Sequence, residues 1–169
     1  MKDFFVKKSN LFLFVISCLI LLTLVFNYVS YGIDRGVVRG YQAIFGVSGI
    51  EGFGTVQFNI GLVLVMFLPF ILTLISLIYE EKYRQDLYFR IIFYLGIFVA
   101  FLLAFLILQK FNYYMKGYLD MGGITRNLLY ATSSYEVLVF AKIASYLAVL
   151  GAMTMLVKIV IDYGQTHTK

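Results

Sequence analysis

Gln57 to Tyr79 reads QFNIGLVLVMFLPFILTLISLIY and contains no ionised side chain. At 1.5 Å per helical residue, a run of this length crosses a hydrocarbon core of roughly 30 Å. It carries the chain's single proline, Pro69, near its middle, and the charged run Glu80-Glu81-Lys82-Tyr83-Arg84 follows it directly. Three further apolar runs flank it. Together they predict an all-α integral membrane protein of four transmembrane helices, at about 11–29, 57–79, 88–108 and 139–160, forming one domain over residues 1–169.

Composition supports this class. The 169 residues are 62% hydrophobic and 14% charged, against about 25% charged in soluble domains. Four spans leave no length for a water-soluble domain with its own core. The net charge of +5 comes from lysines and arginines that lie mostly beside helix ends, where anionic head groups attract them. Lys158 reads as such an anchor at the end of the last helix. No basic patch with interleaved aromatics lies outside the apolar runs, so nucleic acid is excluded as a partner. With no tryptophan, 14 tyrosines and 17 phenylalanines must supply the aromatic belts.

The first helix follows a short basic head with Lys2, Lys7 and Lys8. Its apolar run is longer than a signal-peptide core and no small-x-small cleavage site follows. Val15-Ile16-Ser17-Cys18 fits a loose lipoprotein cleavage pattern, but cutting there leaves CLILLTLVF, still deep in apolar sequence. The reading is therefore an uncleaved helix with Cys18 as a packing residue. The basic head and the compact Lys82/Arg84 turn favour the inner side. This predicts an N-in/C-in topology in a cell membrane, multi-pass, with both longer connections external.

The first connection, Ser30 to Val56, holds seven glycines. Its Val37–Val47 part reads as an amphipathic segment at the membrane surface, and Ser48–Gly54 as a turn region. The second, Gln109 to Leu138, has a tight Gly117…Gly122-Gly123 region. Asp34-Arg35-Gly36 followed by Arg39 and Tyr41 is matched by Asp120-Met121-Gly122 followed by Arg126 and Tyr130, and Glu51 and Glu136 each precede a helix. This similarity is compatible with a weak parallel repeat relating 11–79 to 88–160, but the identities are few, and chance likeness in a biased composition accounts for them as well.

Small residues recur every fourth position at Gly96, Ala100 and Ala104, and again at Ala144, Ala148 and Ala152. Such ridges let helix backbones approach closely and mark a packing seam, within one chain or between copies. Candidate polar or partner contacts are Asn59, Pro69, whose missing N–H frees a carbonyl near Val65, Thr73 and Ser76. Lys142, inside an apolar run, reads as a snorkelling lysine or a carboxylate partner. The external charges Asp34, Arg39, Glu51, Asp120, Arg126 and Glu136 complete the set.

No catalytic, cofactor-binding or metal-binding constellation emerges. One cysteine excludes a dithiol relay and one histidine, His167, excludes bis-histidine haem. There is no HExxH and no nucleophile elbow. Three functions fit. The first is a non-catalytic accessory or structural subunit of a larger membrane complex engaged in transport, secretion or energy conversion. The second is a self-associating small carrier or channel with a polar path near Pro69. The third is a lipid-head-group enzyme using external carboxylates such as Asp34 and Asp120. The partners implied are the lipid bilayer and another membrane protein or a second copy.

Overall fold

The computed structural model of the chain describes residues 2–31, 36–50, 54–83, 87–115, 117–121, 124–127 and 135–166. Four long helices pack side by side: α1 (Lys2–Thr23), α3 (Ile60–Tyr83), α4 (Leu87–Gln109) and α6 (Val139–Thr166). Two short helices, α2 (Gly40–Phe45) and α5 (Phe111–Tyr114), lie in the connections. The pairing of α4 with α6 is the most extensive, α1 rests against both α6 and α3, and α3 closes the ring against α4.

The expectation of an all-α protein with four spans is corrected on two counts. Among the described residues, three helices are long and apolar enough to cross a membrane, over Ile60–Tyr79, Tyr88–Gln109 and Val139–Gly164. The apolar part of α1, Lys8–Thr23, is shorter. It ends early because the chain tightens after Thr23 into a succession of i→i−3 bonds, from Leu24 to Leu21, Val25 to Leu22 and Phe26 to Thr23. Residues 27–29, expected to end the first helix, instead enter a strand. The N-in/C-in assignment rested on four spans and falls with that count. What holds is geometric: the start of α1 and the end of α6 lie together, at the end of the bundle remote from the strands.

The second correction is that the connections are β-structure. Their strands are β1 (Asn27–Tyr31), β2 (Gly36–Arg39), β3 (Val47–Ile50), β4 (Gly54–Val56), β5 (Gly117–Met121), β6 (Ile124–Asn127) and β7 (Tyr135–Val137). They form a three-stranded sheet ordered β2-β1-β7 and a four-stranded sheet ordered β3-β4-β5-β6, with every pairing antiparallel. Each sheet draws strands from both connections: Val29 pairs with Val137 in one, and Thr55 with Tyr118 in the other. Backbone N–H and C=O groups held against an apolar bundle must find partners, and ladders between the connections supply them.

The core runs from the bundle into this cap. Ile16, Ile20, Met66, Phe101, Ala104 and Met155 are buried between helices, and Tyr28, Val29, Val38, Ile44 and Phe111 are buried beneath the strands. The Tyr28 hydroxyl lies 2.5 Å from that of Thr23, and its ring meets Phe111 edge-on at 5.0 Å. Burial pushes the Tyr28 phenol well above its ordinary pKa, and the Thr23 contact offsets this only in part.

Close approach rather than flexibility explains two glycines of the first connection. Gly46 ends α2 at φ 84°, and a Cβ there would stand 2.9 Å from the Phe58 nitrogen and the Val56 oxygen. Gly40 would place its Cβ 2.8 Å from the Leu24 Cα. Gly46→Ala is therefore expected to lose about 1–3 kcal/mol, from backbone strain and a clash that only backbone movement relieves. A denaturation titration in mild detergent measures the loss.

The outer faces of the helices are apolar. Leu64, Ile71, Ile92, Leu106, Leu150 and Val160 are all exposed, and only 28%, 33% and 39% of the three long apolar windows is buried. A water-soluble protein rarely exposes continuous apolar surface on this scale, and a bilayer solvates it. Aromatic side chains mark the limits of this surface. Phe26, Phe45, Phe58, Tyr113 and Phe140 are exposed near the strands, and Tyr79, Tyr88 and Tyr163 at the opposite end, in the manner of the belts at membrane–water interfaces.

Candidate functional site

At the end of the bundle away from the sheets, α1, α4 and α6 enclose a polar cluster. Lys158 on α6 is 1% exposed. Its ammonium donates to Asn10 Oδ1 on α1 and stands 4.3 Å from the centroid of the Tyr94 ring on α4, within cation–π range. One turn further along α6, the Asp162 carboxylate faces Arg90 of α4, with Oδ2 to Nε at 3.3 Å. Asn10 and Asp162 are buried, and Asn10 Nδ2, Asp162 Oδ2 and Arg90 Nε lack aligned hydrogen-bond partners among the described residues.

A buried ammonium is costly unless oxygen acceptors and an aromatic face replace its hydration. The Asn10 amide oxygen and the Tyr94 ring contribute to this here, and they come from two different helices. The cluster therefore acts as a clamp: Lys158 joins α6 to α1 and α4, and Asp162 joins α6 to α4 a turn later. It contains no nucleophile set against a base. Among the described residues, no three His, Cys, Asp or Glu side chains gather closely enough to hold a metal ion.

Lys158 is thus not the solvent-facing anchor that its place near a helix end suggests. The signal that finds it is the small-residue ridge itself. Ala141, Ala144, Ala148, Ala152 and Met155 are buried along one face of α6, and stepping on by three and then four residues reaches Lys158 and Asp162. Once that face is read as the seam, both charges must lie inside.

The candidates read from sequence are placed as follows. Ala100, Ala104, Ala144, Ala148 and Ala152 are buried, whereas Gly96 is exposed and nothing lies within 4 Å of the position its Cβ would take. Gly151, not singled out by the four-residue spacing, lies tight against α4: a Cβ there would stand 2.7 Å from the buried Phe101 ring. Asn59 caps α3, its Oδ1 receiving the amides of Gly61 and Leu62 at 3.1 and 3.3 Å while its Nδ2 donates to the Tyr114 carbonyl at 2.6 Å. Asn59→Ala is expected to cost about 1–2 kcal/mol through loss of the α3 cap, measurable as faster amide exchange at Gly61 and Leu62.

Pro69 is buried within an unbroken α3. Its carbonyl accepts from Thr73 Oγ1 at 2.7 Å, and Thr73 in turn lies 3.0 Å from Ser17 Oγ on α1. Lys142 and Glu136 are exposed. Arg39, also exposed, immediately precedes α2, and its amide donates to Gln42 Oε1 at 3.0 Å. Asp120 and Arg126 sit on neighbouring strands, their backbones in register with Thr125 and Leu119 respectively. Asp34, Glu51 and His167 lie outside the described residues.

A second feature lies at the strand end, where α3 and α4 pair less closely than α4 and α6. A cleft of about 360 Å³ opens there, with Leu62, Val65 and Ile107 on its walls and Asn59, Tyr113 and Tyr114 at one end.

Fold and sites together define a membrane-associated protein with, among the described residues, three apolar helices of spanning length. Comparison with protein-family models, with curated proteins and with solved structures finds no match to this chain.

Proposed function

We propose that this chain is a non-catalytic structural subunit of a larger assembly in a cell membrane, crossing the bilayer more than once and presenting its sheets to a partner. Assemblies for transport, secretion or energy conversion are the natural setting. The observation that carries the reading is the cap: two connections, far apart in sequence, interleave their strands into two sheets standing on an apolar bundle. Such a cap offers a shaped surface beyond the apolar helices. The α4–α6 seam, with Gly151 against Phe101, belongs to the inside of one chain on this reading and leaves partner contact to the cap and the outer helix faces.

Thr73 and Asn59, two of the polar groups that a carrier path would need, are engaged elsewhere. Ser17 and Thr73 bond to each other, and Asn59 is committed to its cap. The test is extraction from the native membrane in mild detergent through a C-terminal tag, followed by mass determination of the particle. A stoichiometric second polypeptide is the expected result. A homogeneous homo-oligomer with nothing else attached would sink the proposal.

A further inference from the structure

We infer that the cleft between α3 and α4 is a binding site for one acyl chain of a membrane lipid, with the lipid's polar head held at the level of Tyr113 and Tyr114. The site has a direction. Asn59 and the two tyrosines stand at its strand end, among the exposed aromatics Phe45 and Phe58. Leu62, Val65 and Ile107 line the part that runs into the bundle. From Asn59 to Val65 is roughly 9 Å along a helix axis, so the wall turns from polar to apolar over the depth at which a bilayer does the same.

The mouth is continuous with the lipid-facing surface, since Ile60 and Leu64 on α3 and Leu106 on α4 are exposed. Gly61, which contributes no side chain to the wall, helps keep the cleft open. A volume of about 360 Å³ falls at the small end of the roughly 300–1,000 Å³ range of ligand pockets. That suits a chain segment rather than a whole lipid. Apolar walls give water too few partners to hold it there. The backbone at the head end is already committed, with the Tyr114 carbonyl taken by Asn59. Tyr113 and Tyr114 are about half exposed there, at 51% and 45%, and aromatic residues of this kind favour the interfacial depth at which a lipid's ester groups lie. Lipid in this cleft requires no protein partner at the cap, so the two proposals stand or fall separately.

The test uses the full chain reconstituted into dioleoylphosphatidylcholine vesicles containing a small fraction of phosphatidylcholine with a diazirine in the upper third of one acyl chain. After irradiation, labelled positions are mapped by peptide mass spectrometry. Labelling at Val65 and Ile107, the part-exposed cleft residues, is expected to exceed, at least five-fold, that at Ile143 and Tyr146, exposed α6 residues at a matched distance from the strand end. Val65→Phe and Ile107→Phe, which fill the cleft from opposite walls, should each bring labelling of the remaining cleft residues down to the α6 level. Circular dichroism and gel filtration check that both variants fold. Equal labelling of cleft and α6 residues in the unmodified chain would overturn the inference, because bulk lipid alone would account for it. Cross-links from the cleft to a second copy of the chain would overturn it too, by showing that protein fills the space.

Discussion

Gly151→Leu is expected to abolish the folded bundle, and Gly151→Ala to weaken it by about 1–3 kcal/mol, the usual cost of overpacking a filled core. Even a methyl group at this position would stand 2.7 Å from two carbons of the Phe101 ring. That ring is fully buried, so it cannot swing aside into lipid. The main chain of α6 would have to retreat instead, along the most extensive helix pairing in the molecule. Resistance to sodium dodecyl sulfate, titrated from mild detergent, measures the loss. Combining Gly151→Ala with Phe101→Leu should recover part of the stability, because the smaller side chain makes room for the methyl. Failure to recover any would show that the cost lies in something other than this contact.

The second large effect is expected at the polar clamp. Asn10→Leu removes the oxygen that receives the Lys158 ammonium, an acceptor for a cation that is 1% exposed. Hydrogen bonds to charged groups are worth about 1.5–3 kcal/mol. Asn10→Leu alone should therefore destabilise by about 1.5–3 kcal/mol. Lys158→Met alone should cost less, since it removes the charge together with its need for partners. The double variant should be more stable than Asn10→Leu alone, because an apolar pair of similar size replaces a polar one without leaving either half stranded. Additive losses in this cycle would mean that the two side chains do not depend on each other.

The helices of spanning length were legible because an uninterrupted apolar window of about twenty residues matches the thickness of a bilayer and little else in protein architecture. Three of the predicted spans correspond to α3, α4 and α6, with ends shifted by a few residues where a cap intervenes, as Asn59 does before Ile60. The first was overextended because Val25, Phe26 and Tyr28 are as apolar as the helix before them, and hydropathy does not register the chain tightening after Thr23. The sheets were not legible for a different reason. Their pairings join Val29 to Val137 and Thr55 to Tyr118, and no local pattern reports a partner sixty or a hundred residues away. Gly40 and Gly46, read as part of an amphipathic surface segment, are where the backbone is pressed against its neighbours. In the polar cluster, Lys158 and Asp162 were visible as charges, but their burial follows only once the face of α6 that meets α4 and α1 is known.

The interleaved cap also has a history written into it. Strand β4 ends at Val56 and its partner β5 begins at Gly117, so during synthesis the first connection emerges well before the strand that completes its sheet. At roughly 5–20 residues per second, that interval lasts about 3–12 seconds. Throughout it, the β3–β4 hairpin presents an open edge, the kind of surface on which chains pair wrongly with one another. Whatever machinery inserts this protein must therefore shelter an unfinished hairpin while two long helices and the short α5 are made, and a chain stalled after α3 would be a better substrate for quality control than one stalled a few dozen residues later.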